Sequence, residues 1–150
     1  MCFRANMCLT KGKHIKAKRR KTMKRIAKFD ELIKRTSEGE DLKFTDFPEV
    51  VPTLYWAYKS SMDRGFEEID FNEVIWEKDI ETIVKDLREA GYESFTISST
   101  FSSLLETIWE FEQRGCKMVG LKQVRQGYDN YNKDTRKSKP VYKPAAIIML

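Results

Sequence analysis

The stretch that most constrains the fold of this chain is residues 91–124, where two short apolar segments flank an amphipathic one. The first apolar segment contains Phe95 and Ile97, and residues 98–103, which are rich in serine and threonine, follow it directly. A segment with helical spacing then ends at Gly115, and a second alternating segment follows. This order predicts a strand, a helix and a strand. Two strands joined through a helix run parallel, with a right-handed crossover.

The residues before this unit predict further helices. Apolar residues recur at helical spacing in three segments, which are residues 24–37, 48–64 and 78–90. Asp46, with Glu49 three residues later, is the predicted cap of the second helix, and Pro52 is tolerated near its first turn. The aromatic residues Tyr55, Trp56 and Tyr58 on this helix predict core packing. The alternative is an exposed aromatic surface for a partner.

The segment between the second and third helices is rich in carboxylates. Residues 69–71 predict a short edge strand, and six acidic side chains surround it: Glu67, Glu68, Asp70, Glu73, Glu77 and Asp79. A two-metal nuclease needs carboxylates that converge with a lysine at strand ends. No predicted strand carries such an acid-x-lysine pair, so these acids are interpreted as a solvated face.

The C-terminal part predicts a hairpin. A polar segment follows Val124, and the chain returns as an apolar run over residues 145–150. The simplest topology is an antiparallel return beside residues 116–124, with the last strand covered on both faces and Pro144 marking its start or a break in pairing.

These elements together predict one α/β or α+β domain over residues 23–150. We expect a small mixed sheet of three or four strands, with a central βαβ unit, a C-terminal antiparallel strand and two N-terminal helices. A chain of 150 residues suffices for one core without disulfides or metal. No apolar run approaches the roughly 20 residues of a membrane span, so we expect no membrane partner.

The net charge of +5 is unevenly distributed. Residues 1–22 carry eight lysines and arginines and no acid, whereas residues 38–93 carry 16 acidic and six basic residues. We expect this tail to be disordered. It is either an arm that neutralises phosphates or a segment upstream of a true start at Met23.

Several kinds of catalysis are excluded within residues 23–150. The single histidine, His14, lies in the tail, so neither a Ser-His-Asp nor a Cys-His arrangement is available. The cysteines Cys2, Cys8 and Cys116 lack paired spacing, which indicates a reducing, cytoplasmic compartment and no zinc site. Cys116 is expected to be buried. No phosphate-binding glycine motif is present. We therefore expect no cofactor and no metal, and a non-catalytic role is favoured.

Two segments are candidate binding sites. The first is the turn that follows the first strand of the βαβ unit, where free amides and hydroxyls can hold a nucleotide or small anion. Its candidate ligands are Ser98, Ser99, Thr100, Ser102 and Ser103. Helix capping by Ser99 or Thr100, or by Ser103 paired with Glu106, is the competing interpretation.

The second candidate is the segment of residues 125–143, where basic and aromatic residues are interleaved. Such a pattern suits single-stranded nucleic acid, because phosphates pair with cations and bases stack on rings. A solvated hairpin tip is the alternative. The candidate contacts are Arg125, Tyr128, Tyr131, Lys133, Arg136, Lys137 and Lys139.

Four pieces of the sequence, residues 70–76, 86–91, 95–102 and 112–116, resemble a group of small uncharacterised proteins. The group is encoded by gut-type Gram-positive bacteria, often on mobile elements. The resemblance spans about residues 65–124 and implies a bacterial, cytoplasmic α/β protein without an assigned activity. Residues 1–22 have no counterpart in it.

The leading hypothesis is a non-catalytic binding protein that acts on a macromolecular partner. A protein partner facing the acidic residues 38–93 is expected first. The alternatives are a nucleotide or small anion at residues 98–103, and nucleic acid at the tail and residues 125–143.

Overall fold

The computed structural model describes residues 22–128, 136 and 139–150. Over these residues the chain forms four α-helices: α1 (Ala27–Ser37), α2 (Pro52–Asp63), α3 (Glu77–Glu89) and α4 (Leu104–Gln113). A 3₁₀ helix spans Phe44–Asp46. The strands are β1 (Asp70–Phe71), β2 (Ser94–Ile97), β3 (Lys117–Tyr128) and β4 (Pro140–Met149). The predicted mixed α/β fold, with two N-terminal helices, is confirmed, whereas the predicted disorder of residues 1–21 lies outside the described residues.

The four strands form one mixed sheet in the order β1-β2-β4-β3. β1 is parallel to β2, and β4 is antiparallel to both β2 and β3. The predicted antiparallel return beside residues 116–124 is confirmed. β2 and β3 run in the same direction, as expected for strands joined through α4, but β4 lies between them. The last strand in the chain therefore occupies an interior position of the sheet.

Alternation along β2 divides the sheet into an apolar and a polar face. Phe95 and Ile97 are buried in the main hydrophobic core, where the ring of Phe95 lies 5.4 Å from Phe71 and 5.0 Å from Phe111 of α4. Because successive side chains of a strand point to opposite faces, Thr96 lies on the other face. Helices thus cover the apolar face, and the polar face is left for other contacts.

The N-terminal helices pack through an aromatic cluster. The Phe29 ring of α1 contacts Tyr55 at 5.8 Å and Tyr58 at 5.4 Å between centroids. Tyr55 and Tyr58 are buried, which confirms the predicted core packing, whereas Trp56 is 47% exposed. The Tyr58 hydroxyl donates to Asp30 Oδ1 at 2.6 Å and accepts from the Ile26 amide at 3.3 Å.

This buried hydroxyl makes stability fall at high pH. Burial, assisted by the hydrogen bond to Asp30, raises the pKa of Tyr58 to about 12. A folded-state pKa above the usual value means that stability is complete below about pH 10 and is lost as the pH rises through 12. The expected loss from Tyr58 is roughly 2–3 kcal/mol.

Urea unfolding between pH 9 and pH 12 tests this expectation. Tyr58→Phe has no proton to release, so its unfolding free energy should fall less steeply than that of the wild type. Burial also raises the pKa of Tyr92, and the negative charge of an ionised Tyr58 adds to this rise, so Tyr58→Phe removes that second contribution as well and the difference between the two slopes grows. Equal slopes for the two proteins would contradict the role assigned to Tyr58.

The start of α2 differs from the prediction. Asp46 belongs to the 3₁₀ helix and does not cap α2, which follows Val51 without a side-chain cap. Pro52 is the first residue of α2, in agreement with the prediction that it is tolerated near the first turn. A proline fits there because the amide groups of the first turn have no hydrogen-bond partner within the helix. The loop between the 3₁₀ helix and α2 separates the predicted cap from the helix.

Candidate nucleic-acid interface

The hairpin of β3 and β4 extends beyond the other strands. β4 pairs with β2 only over residues 146–149, and residues 140–145 pair with β3 alone. Six strand residues at about 3.4 Å each give a length of roughly 20 Å. We call residues 122–128 together with 140–145 the β3–β4 arm.

Two prolines lie in the β4 half of the arm. Pro144 is opposite Gln123, and Pro140 is opposite Tyr128. In the described part of the chain, this half of β4 has no strand on its second side, and prolines are tolerated on such an edge. The prediction for Pro144 is corrected: β4 begins at Pro140, and Pro144 lies within its pairing with β3, whereas the pairing of β4 with β2 begins at Ala146.

Charge is segregated between the hairpin and the rest of the fold. Residues 117–150 contain eight basic and two acidic residues, whereas residues 22–116 contain 12 basic and 21 acidic residues. Both acids of the hairpin segment, Asp129 and Asp134, lie outside the described residues. Among the described residues, the cations of the hairpin segment with exposed side chains are Lys117, Lys122, Arg136, Lys139 and Lys143.

The predicted nucleic-acid contacts occupy different places. Lys139 is exposed directly before β4, and Arg136 is exposed with a positive φ of 55°. Arg125 is instead engaged by the fold, because its Nη2 donates to the Arg64 carbonyl at 2.7 Å. The remaining predicted contacts cannot be placed, since the side chain of Tyr128 and all of Tyr131, Lys133 and Lys137 lie outside the described residues.

A buried polar cluster around Asp70, which we call the Asp70 cluster, joins the base of the arm to the sheet. Asp70 of β1 is 1% exposed, which corrects its interpretation as part of a solvated face. Its carboxylate accepts hydrogen bonds from Thr96 Oγ1 at 2.6 Å and Ser98 Oγ at 2.7 Å. Gln126 of the arm donates its Nε2 to Ser98 Oγ at 2.8 Å. The arm is therefore tied to β1 and β2 by side chains on the polar face.

Arg64 supplies the cation of this cluster. Its Nη2 lies 3.6 Å from Asp70 Oδ2 and makes no hydrogen bond to any described residue. Its Nη1 donates to the Arg125 carbonyl at 3.3 Å, and its guanidinium lies 4.4 Å from the Phe66 ring centroid. Burial lowers the pKa of Arg64, and the Asp70 carboxylate opposes this shift. The end of α2 is thus fixed to the base of the arm.

The turn after β2 contributes to the same cluster. Ser98 is bound to Asp70, and the Ser99 hydroxyl donates to the Glu73 carbonyl at 2.9 Å. Ser103 precedes α4, but its side chain makes no capping hydrogen bond, so the predicted cap is wrong at this position. A ligand at this turn stays a prediction, which would use the exposed residues Thr100, Ser102 and Ser103.

A cleft of about 290 Å³ opens beside the cluster, between residues 66–68 and the base of the arm. Lys122 Nζ lies 3.3 Å from Glu68 Oε2. The other oxygen of Glu68 accepts from Ser94 Oγ at 2.9 Å. Glu68 is therefore already bound by Lys122 of the arm and by Ser94 of β2. These contacts form a second attachment between the arm and the polar face.

Sequence reasoning missed the connection between Asp70 and Gln126. The sequence did contain a signal that Asp70 lies on the polar face. Asp70 stands between Ile69 and Phe71, and successive side chains of a strand point to opposite faces, so its carboxylate lies on the face opposite these two apolar residues. The partner from the arm lies 56 residues away in sequence. No local pattern could identify that partner.

No group of three or more potential ligand residues among the described residues could hold a metal ion. Cys116 is buried as predicted, and burial raises the pKa of its thiol, which disfavours the reactive thiolate. In the same part of the chain, the helices are too short or too polar to cross a bilayer.

Comparison with known proteins identifies a family. The model of a family described as a domain of unknown function, DUF7698, matches residues 53–145, which is more than half of the chain. The matched segment contains the Asp70 cluster and the whole β3–β4 arm. Neither a curated protein nor a solved structure matches the chain.

Proposed function

The chain belongs to the DUF7698 family of domains of unknown function, and from this starting point we propose that it is a non-catalytic nucleic-acid-binding protein. The β3–β4 arm and the exposed lysines beside it contact the phosphates of a single strand. The observation that carries this proposal is the segregation of basic residues into the hairpin of an otherwise acidic fold.

Electrostatics supports this assignment. Lysines that contact phosphates release condensed counterions, and this release dominates the affinity of nucleic-acid binding. Lys139 and Lys143 lie at the two ends of a five-residue stretch, and both are exposed without an ion pair among the described residues. The acidic remainder of the fold repels the same backbone. Nucleic acid is therefore directed to the hairpin.

Stacking supports a single strand. Tyr142 lies in the β4 half of the arm, opposite Arg125 in the strand register, and its side chain is 53% exposed. An aromatic ring beside a basic track stacks on unpaired bases, with little dependence on sequence. A duplex keeps its bases paired and offers no such surface.

Removal of two arm charges tests the proposal. Single-stranded binding changes with salt by about 0.7 logarithmic units per phosphate contact. Lys139→Gln combined with Lys143→Gln should therefore reduce the salt slope by about 1.4 and weaken binding roughly 20-fold at 0.1 M salt. Fluorescence anisotropy of a labelled oligonucleotide, with the full chain at several salt concentrations, measures both quantities.

The matched control removes two exposed lysines from the acidic part of the fold. Lys78→Gln combined with Lys85→Gln changes the net charge equally but lies on α3. It should leave the salt slope unchanged. An equal loss of affinity in both double variants would contradict an interface on the arm. Deletion of residues 1–22 separates the contribution of the basic tail from that of the arm. In the shortened protein, the arm variant should still bind more weakly than the α3 variant.

A further inference from the structure

An aromatic cavity lies away from the arm, between α1, the 3₁₀ helix and α2. Its volume is about 160 Å³, and its walls include Phe44, Phe47, Tyr55 and Trp56. The proposed nucleic-acid interface makes no use of it. We call this space the aromatic cavity.

Three of its rings meet at steep angles. The centroid distances are 5.4 Å for Phe44–Tyr55, 6.0 Å for Phe44–Trp56 and 5.0 Å for Tyr55–Trp56. All three pairs are edge-to-face, with interplanar angles of 67° to 74°. Rings arranged in this way turn their π-faces in different directions. All three residues line the cavity, so part of its wall is aromatic.

Tyr55 adds a polar group at the cavity. The residue is 4% exposed and its hydroxyl makes no hydrogen bond to any residue in the described ranges, but the oxygen is not one of the buried side-chain atoms without a partner and therefore reaches solvent. A tyrosine in such a position presents its ring to the interior and its polar tip to water. The Tyr55 hydroxyl is thus available to a ligand or to water.

Charged residues line the cavity as well. Glu40 is paired with Arg35 at 2.9 Å, and Lys59 is paired with Asp63 at 3.1 Å. Asp41 makes no ion pair with a described residue, and its exposed carboxylate remains available at the cavity. Lys43 also lines the cavity, but it makes no cation–π contact within the described ranges.

We propose that the aromatic cavity binds an alkylammonium group. Aromatic faces attract a cation through their quadrupoles, most strongly at tryptophan, and Asp41 supplies a carboxylate. The volume equals that of about five waters at roughly 30 Å³ each. The side-chain end of lysine has four carbons and one nitrogen, and a trimethylammonium head is of similar size. Either source, a lysine of a partner protein or a free quaternary amine, fits this chemistry.

A pair of isosteric probes tests whether charge decides binding. Choline and 3,3-dimethylbutan-1-ol have the same shape, but only choline is charged. Titration of the full chain, followed through the Trp56 indole N–H signal by NMR, should give choline at least fivefold tighter binding. Equal affinity for the neutral probe would show a purely apolar cavity and overturn the proposal. Absence of any shift of the Trp56 signal would also overturn it.

A substitution pair assigns binding to this cavity. Trp56→Leu keeps an apolar side chain but removes the strongest ring, and it should weaken choline binding at least fivefold. Trp76→Leu, at an exposed tryptophan outside the cavity, should leave binding unchanged. Isothermal titration calorimetry measures both variants. Equal effects of the two substitutions, or no effect of Trp56→Leu, would contradict the assignment.

The two sources are distinguished by a third probe, lysine blocked as its N-acetyl methylamide. Binding of the blocked lysine at an affinity near that of choline indicates a protein side chain as the natural occupant. Binding of choline alone indicates a free quaternary amine. Each result supports an alkylammonium site, whereas failure of both probes overturns it without bearing on the nucleic-acid proposal.

Discussion

Asp70→Ala is expected to lower the free energy of unfolding by about 3–5 kcal/mol, the cost of leaving one member of a buried ion pair without its partner. The Arg64 side chain is 14% exposed and would remain near the protein interior without a counter-charge. Thr96 and Ser98 would each lose the acceptor of a short hydrogen bond. Urea unfolding followed by circular dichroism measures this loss.

Asp63→Ala is the matched control, because Asp63 is an exposed carboxylate paired with Lys59 one helical turn away. Its loss should stay within about 0.5 kcal/mol, the usual contribution of such a pair. A double variant, Asp70→Leu with Arg64→Met, removes both charges and should recover part of the stability lost by Asp70→Ala. If Asp70→Ala and Asp63→Ala were equally mild, the Asp70 cluster would not anchor the fold.

Phe111→Ala should lower the free energy of unfolding by a similar amount, about 3–5 kcal/mol. Phe111 is fully buried, and its ring contacts Phe95 of β2 at 5.0 Å. Its removal leaves a cavity at the junction of α4 and the sheet, and the surrounding residues fill such a space only partly. The same urea unfolding measurement applies.

Trp109→Ala provides the comparison on the same helix. Trp109 lies two residues before Phe111, but its side chain is 57% exposed. Its replacement should cost less than about 1 kcal/mol, because most of its surface is already in water. A larger loss for Trp109→Ala than for Phe111→Ala would mean that α4 packs through its other face.

Local patterns in the sequence were sufficient for most of the fold. Helix α3 and glycines such as Gly91, which has a φ of 85° after that helix, follow from spacing and turn chemistry within a few residues. The position of β4 between β2 and β3 depends on pairings such as Thr96 with Ile147, which lie far apart in sequence. Asp46 failed as a cap because a 3₁₀ helix competes for the same residues.

The sequence predicted which residue types the candidate site contains, but only part of their arrangement in space. The basic character of residues 125–143 is visible in the sequence, and Lys139 is exposed as a contact residue requires. Arg125 is held by Arg64, a partner 61 residues away, so its spacing within the loop gave no sign of its structural role. Ser98 was predicted as a ligand-binding hydroxyl, but it is buried against Asp70 for the same long-range reason.

The interior position of β4 has a consequence for biosynthesis. While the polypeptide is being translated, β2 can pair with β1, but β3 cannot join the sheet until residues 140–149 have left the ribosome. Until then β2 keeps one unpaired edge and β3 has no partner, an arrangement that invites aggregation. Closure of the sheet is a non-local step, because it joins strands that lie about 50 residues apart in sequence.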